Sequence, residues 1–242
     1  MMNERKLQAV ICDIEGTTTP IAFVRDTLFP YARPRLGEWL RAHQSELPAQ
    51  ALLDQTQAEA GRELTLKAAI RQLEDWSDAD RKSPALKTLQ GLIWQEGYTD
   101  GSLIAPLYPD VAPALSRWRQ AGLLLGIYSS GSVAAQKLLF GHSTAGDVRV
   151  RFNYWFDTAI GGKLESESYR RIAGTIGLAT ASILFLSDHP GEVAAARGAG
   201  WQALRVERAD SAPLAPGSAQ DTPVSDFSAV LLDAEPAVSS RA

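Results

Sequence analysis

The sequence predicts an α/β fold, a doubly wound, Rossmann-like parallel sheet with an inserted all-α helical cap. Three observations predict it. Short apolar runs alternate with helical patterns through the second half of the chain. A long interval without a strand pattern separates the first apolar run from the second. A carboxylate pair, Asp13 and Glu15, directly follows that first run, where α/β sheets bind their ligands.

Leu7–Cys12 reads as a short buried strand. Between Thr17 and Pro109 the apolar residues fall at helical spacing, over Leu28–Gln44, Ala49–Glu63, Leu64–Trp76 and Lys82–Gln95. This is too much chain for one crossover, so residues 21–104 are expected to form a helical cap. Residues 1–20 and 105–242 are expected to form the α/β core. Val111–Ala121 predicts a helix closed by Gly122. Strands follow at Leu123–Tyr128, Trp155–Ile160, Ile183–Leu186 and Gln202–Val206, with helices at Val133–Phe140, Ser166–Ile176 and Glu192–Ala199. Ala209–Thr222, rich in Ala, Pro, Ser and Gly, predicts a loop. Phe227–Leu232 predicts a short last element, and the sequence beyond it, AEPAVSSRA, is expected to be disordered.

The 242 residues are 45% hydrophobic and 21% charged, with net charge −4, the balance of a soluble globular protein. There is no basic tract, which argues against a nucleic-acid partner. No apolar run reaches the roughly 20 residues that cross a bilayer, and the charged start, MMNERKLQAVICD, is not a signal peptide. A cytoplasmic monomer without a membrane partner is expected. The single cysteine, Cys12, excludes an internal disulfide. Glycine-rich dinucleotide and P-loop patterns are absent.

Four strand ends carry chemistry-bearing residues. The first ends in DIEGTTTP, Asp13 to Pro20, two carboxylates before a glycine and hydroxyl-rich turn. This pattern suits a metal and phosphate site with a carboxylate nucleophile, although Asp before a turn is also an ordinary turn former. The second ends in YSSGS, Tyr128 to Ser132, where hydroxyls and a helix start can cradle phosphate. After the third comes Lys163, a charge able to neutralise phosphoryl oxygens or a plain surface lysine. The fourth ends in FLSDHPGE, with Asp188 at the strand end and Glu192 four residues on. If this strand lies beside the first, Asp188 faces Asp13 and Glu15, and converging carboxylates call for a cation. Mg2+ suits hard oxygen donors beside a phosphate. Glu192 also suits a helix N-terminus.

This order of motifs resembles the haloacid dehalogenase superfamily. The stretches DIEGTTTPIAFV, LFPYA, YSSGSVAAQKLLFGHSTAGD, GKLESESYRRIA and ILFLSD resemble one branch of it, the enolase-phosphatases (acireductone synthases) of methionine salvage. The resemblance implies a core of the haloacid dehalogenase type and one Mg2+ per chain. It implies a small phosphate-ester substrate, 2,3-diketo-5-methylthiopentyl 1-phosphate, which is enolised and then dephosphorylated. Asp13 is then the expected nucleophile and a metal ligand. Glu15 is the expected acid/base, with its backbone carbonyl reaching the metal. Ser129, Ser130 and Lys163 are expected to hold phosphate, and Asp188 to complete the metal site.

Other readings stand beside this one. A general phosphatase of the same superfamily would share every one of these residues, and a non-catalytic phosphate binder would have lost one. Cys12 lies within a strand, and Thr18 stands where a cysteine phosphatase needs Arg. His189 is a candidate proton shuttle or a polar loop residue. Trp39, Trp76 and Trp94 fall in the cap, where one can line an apolar pocket.

Overall fold

The computed structural model describes residues 7–210 and 223–230. Most of the predicted loop Ala209–Thr222, the end of Phe227–Leu232 and the tail lie outside them. Within the described part, Phe227–Ala229 forms a single 3₁₀ turn. The chain divides into two compact units: Ala22–Ile104, and the described residues before and after it.

β1 (Ala9–Cys12) is buried at every position, as expected of a strand covered on both faces of a parallel sheet. The chain next forms α1 (Ile21–Phe23), a π-helical turn at Val24–Leu28, α2 (Phe29–Ala32), a 3₁₀ turn at Arg33–Arg35 and α3 (Leu36–Ala42). One continuous helix was expected from Leu28 to Gln44. Pro30 and Pro34 each remove a backbone donor and crowd the preceding turn, and the path breaks into short pieces. Longer helices follow: α4 (Leu47–Ala60), α5 (Leu66–Asp78) and α6 (Pro84–Thr99). Each lies within a few residues of its predicted span. Thr65 caps α5 by accepting the Ala68 amide at 3.3 Å, and Ser83 caps α6 by accepting that of Leu86 at 3.1 Å. Their inner faces join Leu36, Leu40, Leu52, Leu73, Leu89 and Ile93 into one apolar core.

The α/β unit continues through α7 (Val111–Gln120), β2 (Leu124–Tyr128), α8 (Val133–Gly141), β3 (Tyr154–Phe156), α9 (Ser166–Ile176), β4 (Ile183–Ser187), α10 (Pro190–Gly198) and β5 (Gln202–Arg205). Past α7, Gly122 takes φ +83°, and the Leu123 amide returns to the Trp118 carbonyl at 3.0 Å, the closure expected of a left-handed glycine. α9 buries Tyr169, Ile172, Ala173 and Ile176 along one stripe. β3 is shorter than the predicted Trp155–Ile160. The Asp157 side chain accepts the amides of Ala159 at 2.9 Å and Val133 at 3.2 Å, which turns the chain out of the sheet.

Among the described residues the five strands pair in parallel, in the order β3-β2-β1-β4-β5. β1 is therefore central. Its last residue, Cys12, stands level with Ile127 of β2 and Leu186 of β4. The residues just beyond these three strands share one edge of the sheet.

Candidate active site

Asp13 leaves β1 at this edge. Its amide still donates to the Leu186 carbonyl at 2.9 Å, and the residue is only 5% exposed. The following loop is tightly wound. The Ile14 carbonyl accepts the amides of Thr17, Thr18 and Thr19 at 3.2, 2.9 and 3.0 Å. The Thr18 hydroxyl donates back to the carbonyls of Asp13 and Ile14, each at 3.2 Å. Gly16 takes φ +67°, and a Cβ there would collide with the Asp188 carboxylate. Both the dihedral and the close approach demand glycine. Glu15 is half-buried and bridges to Thr19.

β4 meets this loop from the side. β4 pairs with β1, which meets the condition placed on strand order, and the Asp188 amide donates to the Thr17 hydroxyl at 3.0 Å. Lys163 reaches in from the turn before α9. Its Nζ lies 2.5 Å from Asp13 Oδ1 and 2.7 Å from Glu192 Oε2, with all three side chains nearly enclosed. Glu192 Oε2 also accepts the Ser187 hydroxyl at 2.8 Å.

The electrostatics follow from two carboxylates in contact with one ammonium and a third, Asp188, near enough to feel their charges. Burial works against the charge on Lys163, but the Asp13 and Glu192 carboxylates outweigh it and raise the ammonium above its usual value. Asp188 is pushed up to about 7, first by burial and then by the negative charges of Asp13 and Glu192. Glu192 is raised as well, by burial and by Asp13. The cluster thus carries surplus negative charge, which a bound cation would relieve. Among the described residues, no three Asp, Glu, His or Cys side chains gather as a metal-holding group. Asp13 and Asp188 are two hard oxygen donors, and a backbone carbonyl would serve as a third.

Ser129 follows β2, the neighbour of β1 on the side away from β4. It is 4% exposed, and its hydroxyl accepts the Gly131 amide at 3.2 Å. Ser130 is exposed at the same turn. Ser132 caps α8 by accepting the Ala135 amide at 3.3 Å.

Several expectations are sharpened here. The cap of α10 is His189, whose Nδ1 accepts the amides of Gly191 and Glu192 at 3.1 and 3.4 Å. Glu192 turns instead to Lys163 and Ser187. Cys12 is buried, and burial together with the Asp13 charge drives its thiol far above the ordinary value, so it stays protonated. Trp39 and Trp76 belong to the core of the helical unit. Ser187 and Thr17 were not singled out from the sequence, since a hydroxyl inside a strand or turn carries no spacing signal of its own.

Residues 7–200 match the family model for haloacid dehalogenase-like hydrolases. The chain is 51% identical over 203 residues to the enolase-phosphatase E1 of Erwinia tasmaniensis, covering 84% of this chain and 89% of that one. To the enolase-phosphatase E1 of an Enterobacter species it is 48% identical over 205 residues, covering 84% and 90%. The crystal structure of the UTR4 protein from Saccharomyces cerevisiae aligns with TM-score 0.75 and 33% identity, covering 87% of this chain and 94% of that one. A family model spanning most of the sequence and relatives this close, matched along nearly their whole length, show that the chain belongs to the enolase-phosphatase family of haloacid dehalogenase-like hydrolases.

Proposed function

We propose that this chain enolises 2,3-diketo-5-methylthiopentyl 1-phosphate and then hydrolyses the enol phosphate to an acireductone, as a step of methionine salvage. The observation that carries the reading is the Lys163–Asp13 contact of 2.5 Å at the end of the central strand. A buried carboxylate held against a fixed cation is equipped to meet a phosphoryl group.

Asp13 Oδ attacks phosphorus in line, forming an O–P bond as the bond from phosphorus to the C1 ester oxygen breaks. Glu15 gives that oxygen its proton. The aspartyl phosphate is then hydrolysed by a water whose proton Glu15 accepts, which restores Asp13 and releases inorganic phosphate. Lys163 balances charge on the transferring oxygens, and Ser129 and Ser130 supply hydroxyls to them. Asp13, Asp188 and the Glu15 carbonyl would hold Mg2+. The ion would supply positive charge to the phosphate oxygens and let the neighbouring carboxylates stay ionised. Residues 21–104 are read as the helical cap, the unit expected to set substrate specificity. Their apolar side chains are the complement expected for the methylthio end.

The test follows the diketone phosphate by enol absorbance and phosphate release, with and without EDTA. Both signals are expected from the native protein, and phosphate release stops on chelation. Phosphate release from generic esters with no enol signal would leave a general phosphatase. Full phosphatase activity in metal-free protein would remove Mg2+ from the reading.

A further inference from the structure

Arg208 is a buried charge, 4% exposed, that none of these roles uses. Its Nε and Nη2 donate to the Thr17 carbonyl at 3.0 and 2.6 Å. Its Nη1 donates to both carboxylate oxygens of Asp110, at 2.9 and 2.8 Å, and to the Ser225 carbonyl at 3.4 Å. The guanidinium carbon lies 4.2 Å from the centroid of the Tyr108 ring and 4.9 Å from that of Phe227. Asp110 also accepts the Phe227 amide at 2.7 Å, and the Tyr108 amide donates to the Thr18 carbonyl at 3.1 Å. Two carbonyls of the loop after Asp13 are thus gripped by one cluster.

Thr17 is held from three sides. Its amide goes to Ile14, its carbonyl to Arg208, and its hydroxyl accepts the Asp188 amide. We propose that Arg208 is a positioning residue for the reaction. Its planar fork fixes the Thr17 carbonyl, and through the Thr17 hydroxyl it sets the separation of Asp13 from Asp188. Lysine cannot replace it, because a single ammonium cannot bring two donors onto the Thr17 carbonyl while a third nitrogen pairs with both oxygens of Asp110. The inference rests on the reading of Asp13 and Asp188 as metal ligands.

The test uses the full chain stripped of metal, with Mg2+ binding followed by titration calorimetry and turnover measured separately. Arg208→Lys is expected to weaken Mg2+ binding and lower kcat, each about tenfold, the range typical of groups that orient metal ligands, with KM nearly unchanged. Arg205→Met is the control, since Arg205 is also buried but pairs with Glu207. It should lower the melting temperature without moving the Mg2+ constant. Thr17→Val leaves the carbonyl for Arg208 but removes the acceptor for Asp188, and should reproduce the Mg2+ shift. A folded Arg208→Lys protein with native Mg2+ affinity and native kcat overturns the proposal. Should that variant not fold, an unmoved Mg2+ constant in Thr17→Val overturns it. If the native chain binds no Mg2+, the metal assignment fails instead, and the kcat and KM of Arg208→Lys alone decide whether Arg208 positions the loop.

Discussion

Glu192 holds Lys163 at 2.7 Å while Asp13 holds it at 2.5 Å, so one ammonium bridges the end of β1 to the first turn of α10. Glu192→Gln keeps the shape but removes the charge. The loss of a buried charge-assisted bond should cost about 1.5–3 kcal/mol of stability. Turnover should fall as well, because Lys163 loses one of the two anchors that aim it. Denaturant unfolding and steady-state rates measure the two effects. A variant as stable as the native chain would show that Asp13 alone holds Lys163.

Asp13→Asn should abolish phosphate release by several orders of magnitude while the chain stays folded, since the amide is nearly isosteric but cannot attack phosphorus. A fluoroberyllate adduct should form on the native Asp13. An adduct on another side chain would overturn the mechanism.

Metal-free protein should lose stability as pH rises. Asp188 keeps its proton up to about 7 when folded, whereas an unfolded aspartate releases it near pH ~4. Between those values the folded state binds more protons, so stability is fullest at the acidic end and falls through neutrality. Glu192, raised in the same direction, adds to the slope. Melting curves of chelated protein between about pH 5 and pH 8 should show it. Asp188→Asn should flatten it, and Mg2+ should restore stability most at the alkaline end. A slope of the opposite sign would count against the buried carboxylate cluster.

The two reactions should share one residue. The proton lost on enolisation sits on C1 of the substrate, the carbon that carries the departing oxygen. Glu15 can take that proton as an anion, the C2 oxygen being protonated from solvent, and so arrive in the state needed to protonate the leaving group. His189 is the rival, but its Nδ1 already accepts two amides. With C1-deuterated substrate, Glu15→Gln should lose exchange and phosphate release together, while His189→Ala should keep both. Native exchange in Glu15→Gln would separate the steps.

The strand ends were legible because Asp13 and Asp188 close apolar runs, and in a parallel sheet such ends gather at one edge. Ser166–Ile176 was legible because its apolar spacing and its closing Gly177 agree. The broken path from Leu28 to Ala42 was not read correctly, since the apolar spacing runs on through two prolines. The Lys163–Glu192 pair was invisible for another reason. It depends on the turn after β3 folding back to α10, and residue spacing does not encode that route. Arg208 shares the difficulty, as its partners come from segments near residues 17, 110 and 225.

The central place of β1 also governs when the site comes into being. Asp13 and Lys163 are 150 residues apart in sequence, and Thr17 and Asp188 are 171 apart. A chain emerging from the ribosome therefore carries Asp13 long before Lys163 and Asp188, and the loop after Asp13 lacks its Asp188 contact until β4 has been made and docked. Closing such long loops is the slow part of assembling a parallel sheet. Regained turnover during refolding should consequently lag behind regained helix content, and the enzyme's own activity becomes a clock for the pairing of β1 with β4.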